Sequence, residues 1–315
     1  MSGSLAAATE VGRSRTAEPG RAALERAIVQ TLAYADVFDY PLTADEVHRY
    51  LIGARTSRGT IRGLLSDGRL IPHTLSRRGR YFTLAGHEST VETRRSRAHS
   101  AAVLWRKAIQ YGRLIGGVPF VRMVAVTGAL AMDNLADDDI DYLIVTEPGR
   151  LWLCRALVVA VVRSAAMRGI ELCPNYFISE NALELEERNL FTAHEVAQMV
   201  PLAGLDTYQR LRQLNRWSDA YLPNADGPPR RMAPGEPGHV RTRRFVERTL
   251  RSRVANPIEH WEMRRKIKKL GLRSDGHAEA SFGPDWCKGH FGDHGQLTLS
   301  RYDARLEALG APERA

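Results

Sequence analysis

Residues 124–146 read VAVTGALAMDNLADDDIDYLIVT, and the choice of fold class turns on them. The stretch continues the apolar, β-branched run VRMVAV (residues 121–126), which predicts a strand. Thr127-Gly128-Ala129 follow as a turn of small residues. With no Cβ at Gly128, the chain can bend sharply there and lie close to whatever stands beside it. Asp139-Ile140-Asp141 then leads into YLIVT, which predicts a second strand over 140–146. Successive side chains of a strand point to opposite faces. Asp139 and Asp141 therefore project together while Ile140 points into the core. Two carboxylates on one face suit a hard cation, and Mg²⁺ needs few protein ligands and keeps places for water and phosphate oxygens. Backbone N–H groups at the glycine turn can approach a phosphate. The stretch predicts a holder for a metal-bound nucleoside triphosphate, with one or two Mg²⁺ ions at Asp139 and Asp141 and phosphate at Thr127, Gly128 and Ala129.

Further along, Pro148-Gly149 predict a turn, 151–168 a long apolar helix ended by Gly169, and 170–178 a third strand. Pro174 inside that strand implies an edge position or a bulge. Strand, helix and strand in succession indicate an α/β or α+β layer.

Glycine–serine, a spacer, then Asp-x-Asp opening an apolar strand resembles the nucleotidyltransferase superfamily related to DNA polymerase beta. Here Gly128-Ala129 stands for glycine–serine and Asp139-Ile140-Asp141 for the acidic pair; the resemblance covers residues 121–178. It implies an α+β fold with a mixed sheet and helices on one side. It also implies Mg-dependent transfer of a nucleotidyl group from NTP to an acceptor. Two departures stand out. Ala129 lacks the family's hydroxyl. The third carboxylate that the family places on a following strand has Glu171 as its best candidate. By strict alternation Asn175 shares that face, and if it is the aligned position the third acid is gone; Glu180 lies just past the strand. In an active enzyme Glu171 would complete a second metal site or take the proton of the acceptor hydroxyl. Its loss would weigh against catalysis more than against nucleotide binding.

Other readings of these residues fare worse. Asp137, Asp139 and Asp141 match the start of a calcium loop, but Tyr142 stands where that loop needs glycine and Pro148 where it needs glutamate. A plain acidic turn does not explain acids that straddle a strand start after a glycine turn. Cys287, His290 and His294 have zinc-like spacing without a fourth ligand, and polar helix or loop is the default. Trp105, Trp152, Trp217 and Trp261 read as core.

Towards the amino terminus, 21–34 is a helix with Leu24, Ile28 and Leu32 in register. Thr43 and Glu46 form a capping box that opens a second helix. Residues 57–66 make a third, with Ile61, Leu64 and Leu65 inward, and RLIPHTL-SRRG-RYFTLAG reads as a hairpin with a basic tip. Three helices and a two-stranded wing resemble a winged helix-turn-helix domain, whose third helix and wing contact nucleic acid. Arg58, Arg62, Arg77, Arg78 and Arg80 occupy those places. The same fold also serves as a protein contact or spacer.

The chain has 315 residues, 45 Lys+Arg against 36 Asp+Glu, and 43% hydrophobic residues. That is ordinary globular composition and excludes wholesale disorder. Three cysteines exclude a disulfide framework and fit a reducing cytoplasm. No apolar run is long enough to span a membrane. The charge is uneven. Residues 240–273 carry twelve basic side chains against three acids, and 55–80 carry seven arginines against Asp67. Between them lies an acidic knot, Asp133 with Asp137, Asp138, Asp139 and Asp141. The basic runs are solvated helix faces or they meet an anionic partner. The run from residue 240 is expected to be basic helix broken or kinked near Pro257, either packed beside the acidic knot and closing over the triphosphate or a polyanionic acceptor, or simply solvated. The expected organisation is a disordered tail (1–20), a winged-helix-like domain (21–95) and a nucleotidyltransferase-like domain with helical extension (96–223). A Pro/Gly linker (224–239) and a basic helical region (240–315) follow. The acceptor and the NTP base stay open. A nucleic-acid-binding regulator with a degenerate, non-catalytic fold and a plain interaction module are the competing function classes.

Overall fold

The computed structural model describes residues 19–135, 139–230, 240–250, 255–271, 281–288 and 294–310. Local capping signals organise the amino-terminal unit. Helix α1 (Arg21–Asp36) buries Leu24, Ile28 and Leu32. Strand β1 (Leu42–Thr43) runs into α2 (Ala44–Arg49) through the expected capping box, with the Glu46 N–H donating to Thr43 Oγ1 and the Thr43 N–H to Glu46. Ser57 caps α3 (Arg58–Ser66), which turns Ile61, Leu64 and Leu65 inward. Hairpin strands β2 (Leu75–Arg78) and β3 (Tyr81–Leu84) bend at Gly79, φ +64°, and β1 completes a sheet ordered β1-β3-β2.

Helix α4 (Thr90–Gly116) leads from the amino-terminal unit into the larger sheet. Then come β4 (Val121–Val126), α5 (Gly128–Ala131), β5 (Ile140–Thr146), α6 (Leu151–Ala166) and β6 (Leu172–Ser179). The expected helical extension is interrupted by a strand: it forms α7 (Leu190–Gln198), strand β7 (Val200–Ala203), α8 (Leu205–Leu214) and α9 (Ser218–Tyr221). The interruption has a physical reason: Gly204 at φ +75° lies so close to β4 that a Cβ would overlap the Arg122 carbonyl oxygen, and this close approach lets β7 lie against β4. The basic region is two helices, α10 (Val240–Leu250) and α11 (Ala255–Gly271); Pro257 sits in the first turn of α11, where its missing N–H is harmless. Two short strands, β8 (Ser281–Phe282) and β9 (Trp286–Lys288), and helix α12 (His294–Ala308) complete the described chain.

The larger sheet is mixed and ordered β7-β4-β5-β6-β9-β8, with β5 parallel to β6 and the other pairs antiparallel. The fold is α+β. One face packs Val124, Tyr142, Ile144 and Phe177 against α4, α6 and α11. The other packs Met123, Ala125, Leu143 and Ile178 against Tyr208 and Leu211 of α8. Helices thus lie on both faces, where the family resemblance implied one. Strand β6 pairs with β9 only over residues 176–178, so Pro174 lies outside the described β6–β9 pairing, and the register with β5 shifts beside it, between the Asp141 and Leu143 pairings, as a bulge.

The core of the amino-terminal unit runs on into later chain. Leu190, Ala193 and Ala197 of α7 and Tyr302 and Leu306 of α12 join the cluster built by Leu24, Ile28 and Leu32. No described helix is long and apolar enough to cross a membrane. Trp105 and Trp152 are core, Trp217 is half-buried, and Trp261 is 58% exposed, against the expectation that all four are buried. The expected tail falls on residues that are not described apart from 19 and 20, and 231–239 of the expected linker also lie outside the described residues.

Candidate metal and nucleotide site

The site starts where β4 ends. The Thr127 N–H donates to the Asp141 carbonyl at 3.1 Å, which carries the β4–β5 pairing one residue past Val126. The chain then turns at Gly128, φ +62°. A Cβ at Gly128 would overlap Asp141 Oδ2 and stand 3.1 Å from its Cγ. The turn therefore favours glycine twice, for its backbone angle and for the carboxylate lying against it. Alternation along β5 works as expected: Ile140 and Tyr142 are fully buried, while Asp139 and Asp141 are partly exposed.

Parallel pairing with β6 sets Cys173 beside Asp141. One carboxylate oxygen each of Asp139 and Asp141 and the Cys173 sulfur lie within 4.8 Å of one another. The neighbouring strand thus presents a thiol to the acidic pair. Glu171 stands one residue before β6, is exposed, and receives the Ile140 N–H at its backbone carbonyl (3.2 Å); its side chain does not line the cleft described below. Glu180 falls in a single 3₁₀ turn after β6 and is also absent from the cleft wall. The bulge moves alternation by one residue, so Tyr176 and Ile178 share the cleft face with Asp141 and Leu143 of β5. Strict alternation past Pro174 therefore does not hold, and the Asn175 side chain lies outside the described ones.

Asp141 opens on a cleft of about 880 Å³ between the sheet, α1, α7 and α12. Thr127, Gly128, Ala129 and Asp139 share its wall. So does Glu195 of α7, which sequence reasoning missed. The one local signal for it is an acid set between His194 and Val196, both buried. The Glu195 side chain makes no hydrogen bond or ion pair among the described residues. Burial pushes its carboxyl up to about 7, with the Lys288 charge opposing. Asp141 is also pushed up to about 7, first by burial and then by repulsion from Asp139 and Glu195. The opposite wall is aromatic. His194 stacks on Tyr34 with ring centroids 3.9 Å apart, and burial lowers its pKa to about 4, so it is a neutral ring.

The rest of the expected acidic knot does other work or is not described. Asp133 accepts from Trp105 Nε1 at 2.6 Å and pairs with Arg230 at 2.7 Å. Asp137 and Asp138 lie outside the described residues. Cys287 is buried in the core on the far face of the sheet while His294 lines the cleft, so the zinc-like spacing does not converge; His290 is outside the described residues.

The basic α10–α11 segment does not close over the acidic pair. Glu247 of α10 receives the Phe120 N–H at 2.7 Å and pairs with Arg122 and Arg243, at the start of β4. Asp141 lies beside the other end of β4. Glu259 of α11 receives the Trp152 and Leu153 N–H groups at the start of α6. The five arginines expected to meet nucleic acid, on α3 and the β2–β3 hairpin, are exposed. Arg62, Arg77 and Arg80 line one concavity of about 460 Å³, with Arg62 paired to Asp45 at 2.9 Å and Arg77 over the Phe82 ring. Arg58 and Arg78 do not line it; Arg78 stands 3.9 Å from Glu92.

Comparison with protein-family models, with curated proteins and with solved structures gives no match. The functional reading therefore rests on the site's own geometry.

Proposed function

We propose that this chain is a divalent-metal-dependent nucleotidyltransferase that moves a nucleotidyl group from NTP to an acceptor. One observation carries the reading: the Gly128 turn and the Asp139–Asp141 pair form a single unit, with the Asp141 carboxylate lying against a left-handed backbone that favours glycine. The donor set fits a divalent ion. Asp139 and Asp141 offer hard oxygens, and they share a cleft wall with a third carboxylate, Glu195, whose negative charge acts on Asp141. Asp139 and Asp141 would hold the ion. Bound Mg²⁺ would neutralise triphosphate charge and favour the acceptor oxygen as nucleophile.

The chain's own groups do the rest. The backbone of Thr127, Gly128 and Ala129 lies along the cleft for phosphate contact. Glu195, with its carboxyl held near 7, is suited to take the acceptor's proton at neutral pH. The aromatic wall of Tyr34, Phe38 and Tyr40 supplies a surface on which a base or a ring-bearing acceptor can stack.

A second reading is a nucleotide-binding regulator without transfer. It is favoured by Ala129, which offers no hydroxyl, and by the exposed Glu171, which leaves β6 with a thiol next to the pair. The element order α1-β1-α2-α3-β2-β3 supports a winged-helix-like amino-terminal unit, with Arg62, Arg77 and Arg80 as its nucleic-acid contacts. Incubation with each labelled NTP and Mg²⁺ separates the two readings. Labelled product, or label on the protein itself, that disappears in Asp141→Asn supports transfer. Binding of NTP with no labelled product on small molecules, RNA or protein supports the regulator.

A further inference from the structure

The basic helices α10 and α11 lie on the far side of the sheet from the cleft. Leu250 of α10 and Met263 and Ile267 of α11 pack on the apolar cluster that holds Val124 and Tyr142, whereas Leu143 and Ile178, on the opposite face, line the cleft. We propose that the outward face of α11, built on Trp261, binds single-stranded nucleic acid, with a base stacked on the indole and phosphates on the basic side chains around it. The proposal is independent of the nucleotidyltransferase reading.

Three observations carry it. The first is an exposed ring that is held in place. Trp261 is 58% exposed. The Arg265 guanidinium lies over its ring, 5.0 Å from the centroid, and donates to buried Glu262 from Nε at 2.8 Å and from a second nitrogen at 2.7 Å. An ion pair thus steadies an indole that stays open to solvent, so less freedom is lost when a ligand stacks on it. The second is the charge around the ring. Ile258, Trp261, Arg265 and Lys268 fall at i, i+3, i+7 and i+10, one stripe of α11, with Arg264 beside Trp261. Arg264, Lys268 and Lys269 are exposed and pair with no acid among the described residues, because both acids of the helix, Glu259 and Glu262, are buried on its inner side. The third is the same pattern on another element. Phe245 of α10 is 70% exposed, Arg248 stands exposed one turn further on, and Glu247 is buried.

The pattern selects the partner. Unpaired bases stack on exposed aromatic side chains while Lys and Arg track the phosphates, with no reading of base edges. In a duplex the base faces are covered by their neighbours, so an indole platform favours the unpaired strand. A bilayer fits less well. An interfacial helix inserts a continuous apolar face. The apolar side of α11 packs inside the fold, and its outward stripe is mostly cationic.

The test uses the full chain and probes of about 20 nucleotides, oligo(U), oligo(dT) and a duplex of equal length, read by fluorescence anisotropy over a range of salt. Trp261→Ala should weaken single-strand binding by about tenfold, leave its salt slope unchanged and change duplex binding little, while Trp261→Phe keeps a ring and retains most of the affinity. Arg264→Ala/Lys268→Ala should flatten the single-strand salt slope by about 0.7 for each phosphate no longer neutralised. Mg²⁺–ATP should not displace the strand. In the wild type, a thiouridine-bearing oligo(U) should crosslink under light to the peptide that contains Trp261, mapped by mass spectrometry; this readout needs no variant to fold. Single-strand affinity unchanged in Trp261→Ala, strand and duplex weakened equally by it, or crosslinks confined to other peptides would overturn the proposal. Displacement by Mg²⁺–ATP would put the strand in the cleft and overturn it too. So would a protein that ignores both single strands at low salt and sediments instead with phosphatidylserine vesicles, which would make this face a membrane surface.

Discussion

Gly128 sits at φ +62° against the Asp141 carboxylate, so Gly128→Ala meets both a strained backbone and a side-chain overlap. We expect it to cost about 1–3 kcal/mol of stability and to weaken metal–NTP binding by more than about tenfold, checked by thermal melting and calorimetry. Asp141 and Glu195 give a pH dependence with a definite sign. Both carboxyls titrate near 7 in the fold and near 4 in the unfolded chain. Between those values the folded state holds more protons, so their contribution to stability falls as pH rises from about 4 to about 7 and is level above. Asp141→Asn should therefore raise the metal-free stability at pH 8 by on the order of 1–2 kcal/mol after solvent screening, seen as a higher melting temperature, and change it little at pH 4. A divalent ion should stabilise the wild type at pH 8 and not the variant. A variant less stable than the wild type at pH 8 would contradict this charge balance. The acidic pair was legible in the sequence because strand alternation is a local rule. Cys173 was not, because its place beside Asp141 depends on register between strands separated by a helix. Glu195 was hidden for a similar reason: only packing of α7 over the sheet brings it to the cleft.

Helices α10 and α11 show why a run of charge does not reveal its own orientation. Their three acids, Glu247, Glu259 and Glu262, are all buried, while Arg264, Arg265, Lys268 and Lys269 are exposed. Glu259 takes two backbone N–H groups at the start of α6, at 2.8 and 2.7 Å, where the helix leaves donors unsatisfied. Glu259→Gln keeps one acceptor and removes the charge and the second acceptor. It should cost about 1–3 kcal/mol in denaturant unfolding and leave NTP affinity unchanged. A drop in NTP affinity with the fold intact would return this segment to the site. Capped elements such as α2 and α3 were legible, because Thr43, Glu46 and Ser57 act within one turn. Strand β7 was not: four residues including Pro201 carry no strand signal of their own, and β4 imposes the pairing.

At the scale of the molecule, the amino-terminal unit is one body with α7 and α12. Asp36 of α1 pairs with Arg305 of α12 at 2.7 Å, and the apolar cluster runs through all three helices. Composition and connectivity change near residue 95 and suggest a boundary there, whereas the core is completed by residues from much later in the chain. Nucleic-acid binding is therefore best tested on the full chain. Arg62→Ala/Arg77→Ala/Arg80→Ala should weaken duplex DNA or RNA binding at low salt and reduce its salt slope by about one for each phosphate that a removed arginine had neutralised. An unchanged salt slope would leave the concavity as a scaffold feature.

The joint hold of the glycine turn and the Asp139–Asp141 pair on a metal-bound nucleotide stands or falls on calorimetric titration of the full chain with Mg²⁺–ATP and Mg²⁺–GTP. The titration is repeated for Asp139→Ala and Asp141→Ala, with folding verified by circular dichroism. We expect binding that requires the metal and that each substitution weakens by about tenfold or more, as expected when a charged interaction worth about 1.5–3 kcal/mol is removed. Affinity unchanged in both folded variants, or binding indifferent to the metal, would contradict it.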